Sequence, residues 1–309
     1  MLRDEKILIT GVTGKSVIPI AASLARDNEV WGAARFTDPA LRRQVEALGV
    51  RTVQVDLASG QFDDVPADFT RLMHFAWMRA PLAQLEEAIQ VNVEGAGLML
   101  QHCRNARSAL VVSSQGIYTP NDDAFHPYTE TDPIGRGATA YAATSPATKL
   151  GVEAVARFCA RAFNLPTTIA RLNTVVGVPG AYYSAMLARG LAGEDVITPH
   201  DPNPHAPIHT LDMQAHVHSL SEAAGVPALL TNWGGDETIV TQEAMARASE
   251  LTGVPISVKV VTVPGAPKGN NNDSTRRRSV TGPCQVSFWP AFDGLVRDAQ
   301  AARAKEQGA

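Results

Sequence analysis

Residues 6–25 read KILITGVTGKSVIPIAASLA, and the fold turns on how that stretch divides. Lys6 to Thr10 is a short apolar run without polar alternation, the pattern of a strand buried on both faces. Gly11-Val12-Thr13-Gly14 follows as a glycine-bearing turn, and from Val17 to Ala25 apolar residues recur at about every third or fourth position, which predicts a helix. A strand, a glycine turn and a helix start gather backbone N–H groups at the positive end of a helix dipole, a site for a pyrophosphate. The glycines permit both the tight turn and close approach of the ligand. Gly14-Lys15-Ser16 is not a P-loop, because the glycine that should stand five positions before Gly14 is Ile9.

Outward from this stretch the same alternation repeats. Strands are expected at Glu29 to Ala34, Arg51 to Val55, Leu72 to Ala76, Ala109 to Ser113 and Thr167 to Leu172, with helices at Asp38 to Leu48, Glu86 to His102 and Pro146 to Phe163. Repeated βα units with apolar strands imply a doubly wound parallel sheet covered by helices on both faces. After Thr167 to Leu172 the pattern loosens into a helix near Tyr183 to Gly193, a Pro/His-rich stretch, a strand at Leu229 to Trp233, a helix at Gln242 to Thr252 and a strand at Val258 to Val263. The expected division is a nucleotide-binding domain over residues 1–175 and a mainly substrate-binding lobe over 176–309, with segments near 208–235 returning to the core.

Composition narrows the classes of function. The 309 residues carry 27 Lys+Arg against 31 Asp+Glu, with 45% hydrophobic and 19% charged residues, which excludes a disordered chain. A mildly acidic chain whose one basic run is Arg276-Arg277-Arg278 lacks the footprint of a nucleic-acid binder. Three scattered cysteines, Cys103, Cys159 and Cys284, suit a reducing compartment. No apolar stretch reaches the ~20 residues of a membrane span, and the charged N-terminus has no signal-peptide pattern, so a cytoplasmic protein is expected.

Further motifs in register carry a family resemblance. Val55-Asp56-Leu57, Phe75-Ala76-Trp77, Asn92-Val93-Glu94-Gly95, Val112-Ser113-Ser114-Gln115-Gly116-Ile117-Tyr118 and Ile208-His209-Thr210-Leu211-Asp212, together with the glycine turn, resemble landmarks of the extended short-chain dehydrogenase/reductase superfamily, the epimerase/dehydratase-like branch. That resemblance implies a Rossmann fold, a homodimer, and a dinucleotide held by Gly11, Thr13, Gly14, Lys15, Asp56, Leu57, Ala76, Trp77, Ser113, Lys149 and Leu172. At the end of the second strand stands Arg35, where an acidic residue would bind the ribose hydroxyls of NAD. An arginine there pairs with a 2′-phosphate, so NADP is expected, with NAD as the alternative.

In the resembling family a Ser or Thr, a Tyr and a Lys four residues later do the chemistry, the lysine lowering the phenol's pKa so that it exchanges a proton with the substrate oxygen. Here Ser114 and Lys149 fill two of the places, with Glu153 completing a K-x-x-x-E pattern. Four residues before Lys149 stands Ser145 instead of tyrosine. Tyr141 lies four further upstream, ~12 Å away along a continuous helix. Pro146 suits a first helical turn with Ser145 as N-cap, which would leave Tyr141 in a loop free to fold back. The proton donor is therefore Tyr141, Ser145, Tyr118 or a histidine.

Other departures bear on the substrate. Val17 replaces a third glycine, and Gln115-Gly116 replaces the Asp-Glu of the branch's dehydratases. Thr174 and His205 stand where nucleotide-sugar enzymes place an asparagine and an arginine, which favours a smaller, less charged compound. A second resemblance, to the progesterone-5β-reductase/iridoid-synthase-like branch, rests on Trp31 to Arg35, Phe75-Ala76-Trp77 and Pro127 to Glu130. It implies NADPH-dependent reduction of an enone C=C bond as the alternative; a redox-silent, NADP-binding regulatory or epimerase-like protein is the other. His200, His205, His209, His216 and His218 cluster in sequence, but their irregular spacing reads as loop histidines and no metal site is expected. His74 reads as a core residue and Arg276 to Arg278 as a solvated helix start.

Overall fold

In the computed structural model, residues 2–135, 137 and 143–307 are described. The first six strands are β1 (Lys6–Thr10), β2 (Glu29–Ala34), β3 (Arg51–Gln54), β4 (Arg71–His74), β5 (Ser108–Ser114) and β6 (Thr167–Leu172). Between them run α1 (Ile18–Leu24), α2 (Pro39–Glu46), α3 (Leu85–Ile89), α4 (Gly95–His102) and α5 (Ser145–Ala162). Beyond β6 come β7 (Val175–Val176), α6 (Tyr182–Leu191), β8 (Val196–Thr198), β9 (Pro204–His205), β10 (Ile208–His209), α7 (Thr210–Glu222), β11 (Leu229–Trp233), β12 (Ile239–Val240), α8 (Thr241–Thr252), β13 (Val258–Val260), α9 (Thr275–Thr281) and α10 (Phe288–Gln307).

Seven strands form one parallel sheet in the order β11-β6-β5-β4-β1-β2-β3. Strand residues alternate between two cores, as a sheet buried on both sides requires. Leu8 and Leu72 join the cluster that includes Met99, Val152 and Ala156 on α4 and α5. Ile7, Ile9 and Met73 join Ile20, Ala21, Met213 and Val217 on α1 and α7. A third cluster packs Tyr183, Leu187, Met245, Phe288 and Phe292 from α6, α8 and α10. The chain runs outward from β1 through β2 to β3, then resumes at β4 on the other side of β1. Ligands of open α/β sheets bind where the strand order reverses in this way, at the carboxyl ends of the strands.

Most helix ends fall within one or two residues of expectation, and two differences have local causes. The continuous helix expected from Glu86 to His102 is interrupted by a π turn at Gln90–Glu94. Within that wider turn Asn92 bonds both backbone groups of Met78, accepting from its N–H at 2.6 Å and donating to its carbonyl at 2.9 Å, which pins the loop after β4. The triple-arginine segment is not wholly solvated either. Arg277 is fully buried and paired with Asp236, because α9 lays it against α7 and the loop after β11.

Candidate active site

The turn after β1 is shaped by close approach. Gly11 has φ +69°, and a Cβ there would stand 2.7 Å from Ala76 Cα, so only glycine lets the turn pass the end of β4. Its N–H donates to Ala33 O at 2.9 Å, and Gly14 N–H returns to Gly11 O at 3.0 Å. Val17, in the third-glycine place, is buried in the core and precedes α1, which starts one residue later than expected. Thr13 is half-buried. Lys15 is exposed and reaches across the cleft, its Nζ 2.7 Å from where a Cβ on Gly180 would sit.

Along the same edge, Arg35 is exposed just beyond β2. Asp56 caps a short helical turn by accepting from Ala58 N–H at 3.1 Å, while Leu57 enters the core. Ala76 N–H donates to Thr10 Oγ1 at 3.3 Å, and Leu172 ends β6 opposite Ser114. Ser113 Oγ, Trp77 Nε1 and His74 Nε2 are buried without a hydrogen-bond partner among the described residues. Buried polar atoms are almost always satisfied, so orphans at the ends of β4 and β5 mark a place for a polar ligand.

Lys149 lies inside this edge. Its Nζ donates to Val112 O at 2.7 Å and stands 5.3 Å from the Trp77 ring, whose other cationic neighbour is Arg79 at 5.6 Å. Burial pulls Lys149 down from its ordinary value to about 8, with the charge of Glu153 opposing. Next to it the buried His74 is held neutral, pulled down to about 3 by burial and then by the lysine's charge, and its Nδ1 shares a hydrogen bond with Thr10 Oγ1 at 3.0 Å. Ser114 Oγ accepts from Gly116 N–H at 3.1 Å, which leaves its own proton to donate.

Of the proton-donor candidates, the structure relocates or removes several. Ser145 is the first residue of α5, buried one turn before Lys149, and is not the N-cap. The cap position falls to Thr144, whose hydroxyl donates to Ala80 O at 2.9 Å instead of capping the helix. Pro146 does occupy the first turn. Tyr141 lies outside the described residues. Tyr118 is locked away: its hydroxyl donates to Asn232 Oδ1 at 2.7 Å and accepts from Arg171 at 3.0 Å, and burial pushes it up to about 12 against the lowering charge of Arg171.

The histidines are less exposed than a loop reading implies. His216 and His218 lie on α7, and His209 Nδ1 caps that helix by accepting from Leu211 N–H at 3.2 Å. His205 is buried between Thr174 Oγ1, 2.9 Å from its Nδ1, and Asn203 Oδ1, 3.0 Å from its Nε2, and burial pulls it down to about 4.

Sequence reasoning missed a buried amide network beyond the end of β6. Asn173 Nδ2 donates to Gln115 Oε1 at 2.6 Å and to Asn270 O at 2.8 Å, and Gln115 Nε2 donates to Asn272 Oδ1 at 2.9 Å. The run Asn270-Asn271-Asn272 was its visible signal: three consecutive amides in a globular chain need partners.

A family model described as NAD dependent epimerase/dehydratase matches residues 7–213. No curated protein matches the sequence. Among solved structures, UDP-glucuronic acid 4-epimerase from Bacillus cereus, in complex with UDP-glucuronic acid and NAD, aligns with TM-score 0.81 at 16% identity over 96% of this chain and 99% of its own. The dTDP-glucose 4,6-dehydratase DesIV from Streptomyces venezuelae, with NAD and TYD bound, gives 0.80 at 20% over 96% and 98%. UDP-glucose-4-epimerase from Stenotrophomonas maltophila gives 0.78 at 17% over 99% and 100%. At such identities the likeness is one of fold.

Proposed function

Because the chain belongs to the NAD dependent epimerase/dehydratase family of extended short-chain dehydrogenases/reductases, we propose that it is an oxidoreductase exchanging hydride between NADP(H) and a small carbonyl or alcohol compound. The observation that carries this reading is Lys149, a buried ammonium held by one carbonyl at the strand ends, with the orphaned Ser113 and His74 atoms on β5 and β4 and that of Trp77 just beyond β4. When bound there, the dinucleotide would supply or accept the hydride. Gly11, Thr13, Gly14 and Lys15 would hold its pyrophosphate, Arg35 its 2′-phosphate, and Asp56 and Leu57 its adenine. Ala76, Trp77, Ser113, Leu172 and Lys149 would enclose the nicotinamide half.

Ser114 would donate to the substrate oxygen, and Lys149 would place positive charge beside the oxygen where negative charge develops. In reduction, the carbonyl carbon gains the hydride and the oxygen gains a proton from a chain hydroxyl. We assign that proton to Tyr141, with Ser145, one turn from Lys149, as the second candidate; Tyr141→Phe and Ser145→Ala separate them.

The substrate reading rests on Thr174 and His205, which bond each other. A histidine kept neutral by burial presents no fixed cation to a diphosphate, which supports a small uncharged compound over a nucleotide sugar. A cytoplasmic homodimer completes the proposal, supported by exposed Leu98 on α4 and Phe158 on α5. The test is fluorescence titration with NADPH and NADH, followed by turnover of aldehydes, ketones, an enone and UDP-sugars. NADPH binding tighter than NADH with reduction of a simple carbonyl is expected. Failure of either dinucleotide to bind overturns the reading, and a saturated ketone from the enone redirects it to C=C reduction.

A further inference from the structure

Around the first turns of α7, three groups of different chemistry converge. One carboxylate oxygen of Asp212, one ring nitrogen of His216 and Sγ of Cys284 all lie within 4.8 Å of one another. Asp212 and His216 are four apart on one face of α7, and Cys284 arrives from the loop between α9 and α10. Asp212 and His216 are almost completely buried, and Cys284 is partly so. His216 Nδ1 is buried with no hydrogen-bond partner among the described residues, an arrangement that costs stability unless something occupies it.

The surroundings fit a cation. Asp212 already accepts from Gln285 N–H at 2.6 Å and Val286 N–H at 3.3 Å, so its carboxylate is oriented, with lone pairs to spare. A cleft of about 220 Å³ opens onto Asp212 and Cys284 and is also lined by Pro207, Asp236, Glu237 and Ser287. Three carboxylates therefore border it. Asp236 is paired with buried Arg277 and lies 4.0 Å from Arg278, so the cluster keeps a net negative balance. The cleft provides both an entry path and room for a water as fourth ligand.

We propose that Asp212, His216 and Cys284 form a zinc site, with one water completing the tetrahedron. The mixed O, N and S donor set is the one Zn²⁺ accepts, and alkaline-earth ions avoid thiolates. Tetrahedral coordination places donors about 3.3–3.7 Å apart, so the three side chains close inward by about 1 Å. On binding, the Cys284 S–H bond breaks, its proton leaves to solvent and a Zn–S bond forms, with no change of oxidation state. The ion would staple α7, which begins at the cleft with His209, to the loop that launches α10.

The test uses the full chain stripped of metal with a chelator. Zinc titrated in competition with a chromophoric chelator should bind once per chain and raise Tm. Cys284→Ser and His216→Gln should each weaken binding at least about tenfold. Cobalt in place of zinc should show a thiolate charge-transfer band that Cys284→Ser abolishes. Cys284→Ser, which keeps its backbone N–H bond to Asp236, should match the metal-free parent in Tm yet lose the zinc-induced rise. Absence of stoichiometric zinc in the parent chain, or undiminished binding in both variants, overturns the proposal.

Discussion

Helix α5 carries Lys149 and Glu153 one turn apart, and the two places they serve treat a buried cation in opposite ways. Around Glu153, Arg171 spends four of its five N–H donors. Its guanidinium donates to both carboxylate oxygens at 2.9 Å, to Tyr118 Oη at 3.0 Å and to Glu130 O at 3.2 Å, and lies 4.9 Å from the Tyr118 ring. Burial alone would lower Arg171, yet the bonds and charge of Glu153 hold it above its ordinary value. Among the described residues the Lys149 ammonium meets one carbonyl and the face of Trp77, and it is pulled down. A cation whose donors are mostly used, against a buried carboxylate, stabilises a fold. One with donors unspent in a dry site is held ready for a ligand, and the fold bears the cost.

The sharpest way to break this comparison is to remove the carboxylate. Glu153→Gln leaves Arg171 charged and fully buried without its counter-ion, and should destabilise the chain by about 3–5 kcal/mol. Urea denaturation followed by circular dichroism checks this. The double variant Glu153→Leu/Arg171→Met should recover much of the loss, because an apolar pair incurs no desolvation. If Glu153→Gln were neutral, Arg171 would not be the structural partner described here.

Lys149→Met should do the reverse. Hydride transfer should fall by about 10²–10³-fold, the loss expected when a preorganised charge is removed from a reacting centre, while the unliganded fold gains stability. For the sign, the folded value of about 8 lies below the unfolded 10.5. Below pH 8 both states are charged and the folded one carries the full penalty, which fades as pH rises from 8 to 10.5. The penalty is about 3 kcal/mol at neutral pH, less about 1 for the bond to Val112 that methionine cannot make. A net gain of about 1–2 kcal/mol in the same denaturation experiment is expected, and a loss would put Lys149 among the structural residues with Arg171.

The contrast between these two cations also shows what was legible in the sequence. The sheet was readable because its central strands are apolar runs that could be buried only between helices, and the glycine turn because strand and helix flank it. Lys149 and Ser114 were expected at the site from the family resemblance. The π turn at Asn92 and the role of Thr144 were not, since both depend on where the loop after β4 lies, and no local pattern encodes that. Tyr118 kept its place among the donors until its partners, Asn232 and Arg171, were seen to come from 114 and 53 residues away. His205 and Arg277 were misjudged for the same reason: burial of a polar side chain in a Pro-rich or basic stretch is decided by tertiary packing.

A pH profile tests the unspent ammonium without altering it. If Lys149 must be protonated to stabilise developing negative charge, kcat/KM for carbonyl reduction should fall as pH rises through about 8, by about tenfold per unit at the limit. Lys149→Arg, charged throughout this range, should lose that fall even if its rate is lower. A profile flat to pH 10 in the parent chain would separate Lys149 from the chemistry.

Arg35 offers a third treatment of a cation, and the smallest effect. It is exposed and makes no hydrogen bond or ion pair among the described residues, so neither saturation nor burial fixes its energy. An arginine in water gains little from one phosphate, since the dielectric is high and salt screens the pair. Arg35→Ala should therefore weaken NADPH binding by about tenfold, or about 1.4 kcal/mol, leave NADH binding unchanged and leave folding stability within about 0.5 kcal/mol of the parent. The preference for NADPH should also shrink as salt is raised, which a buried contact would resist. Equal loss for both dinucleotides would move Arg35 from the 2′-phosphate to the shared part of the ligand. No loss for either would leave the choice of cofactor to Lys15 and the glycine turn, and the exposed cation would then contribute to neither fold nor site.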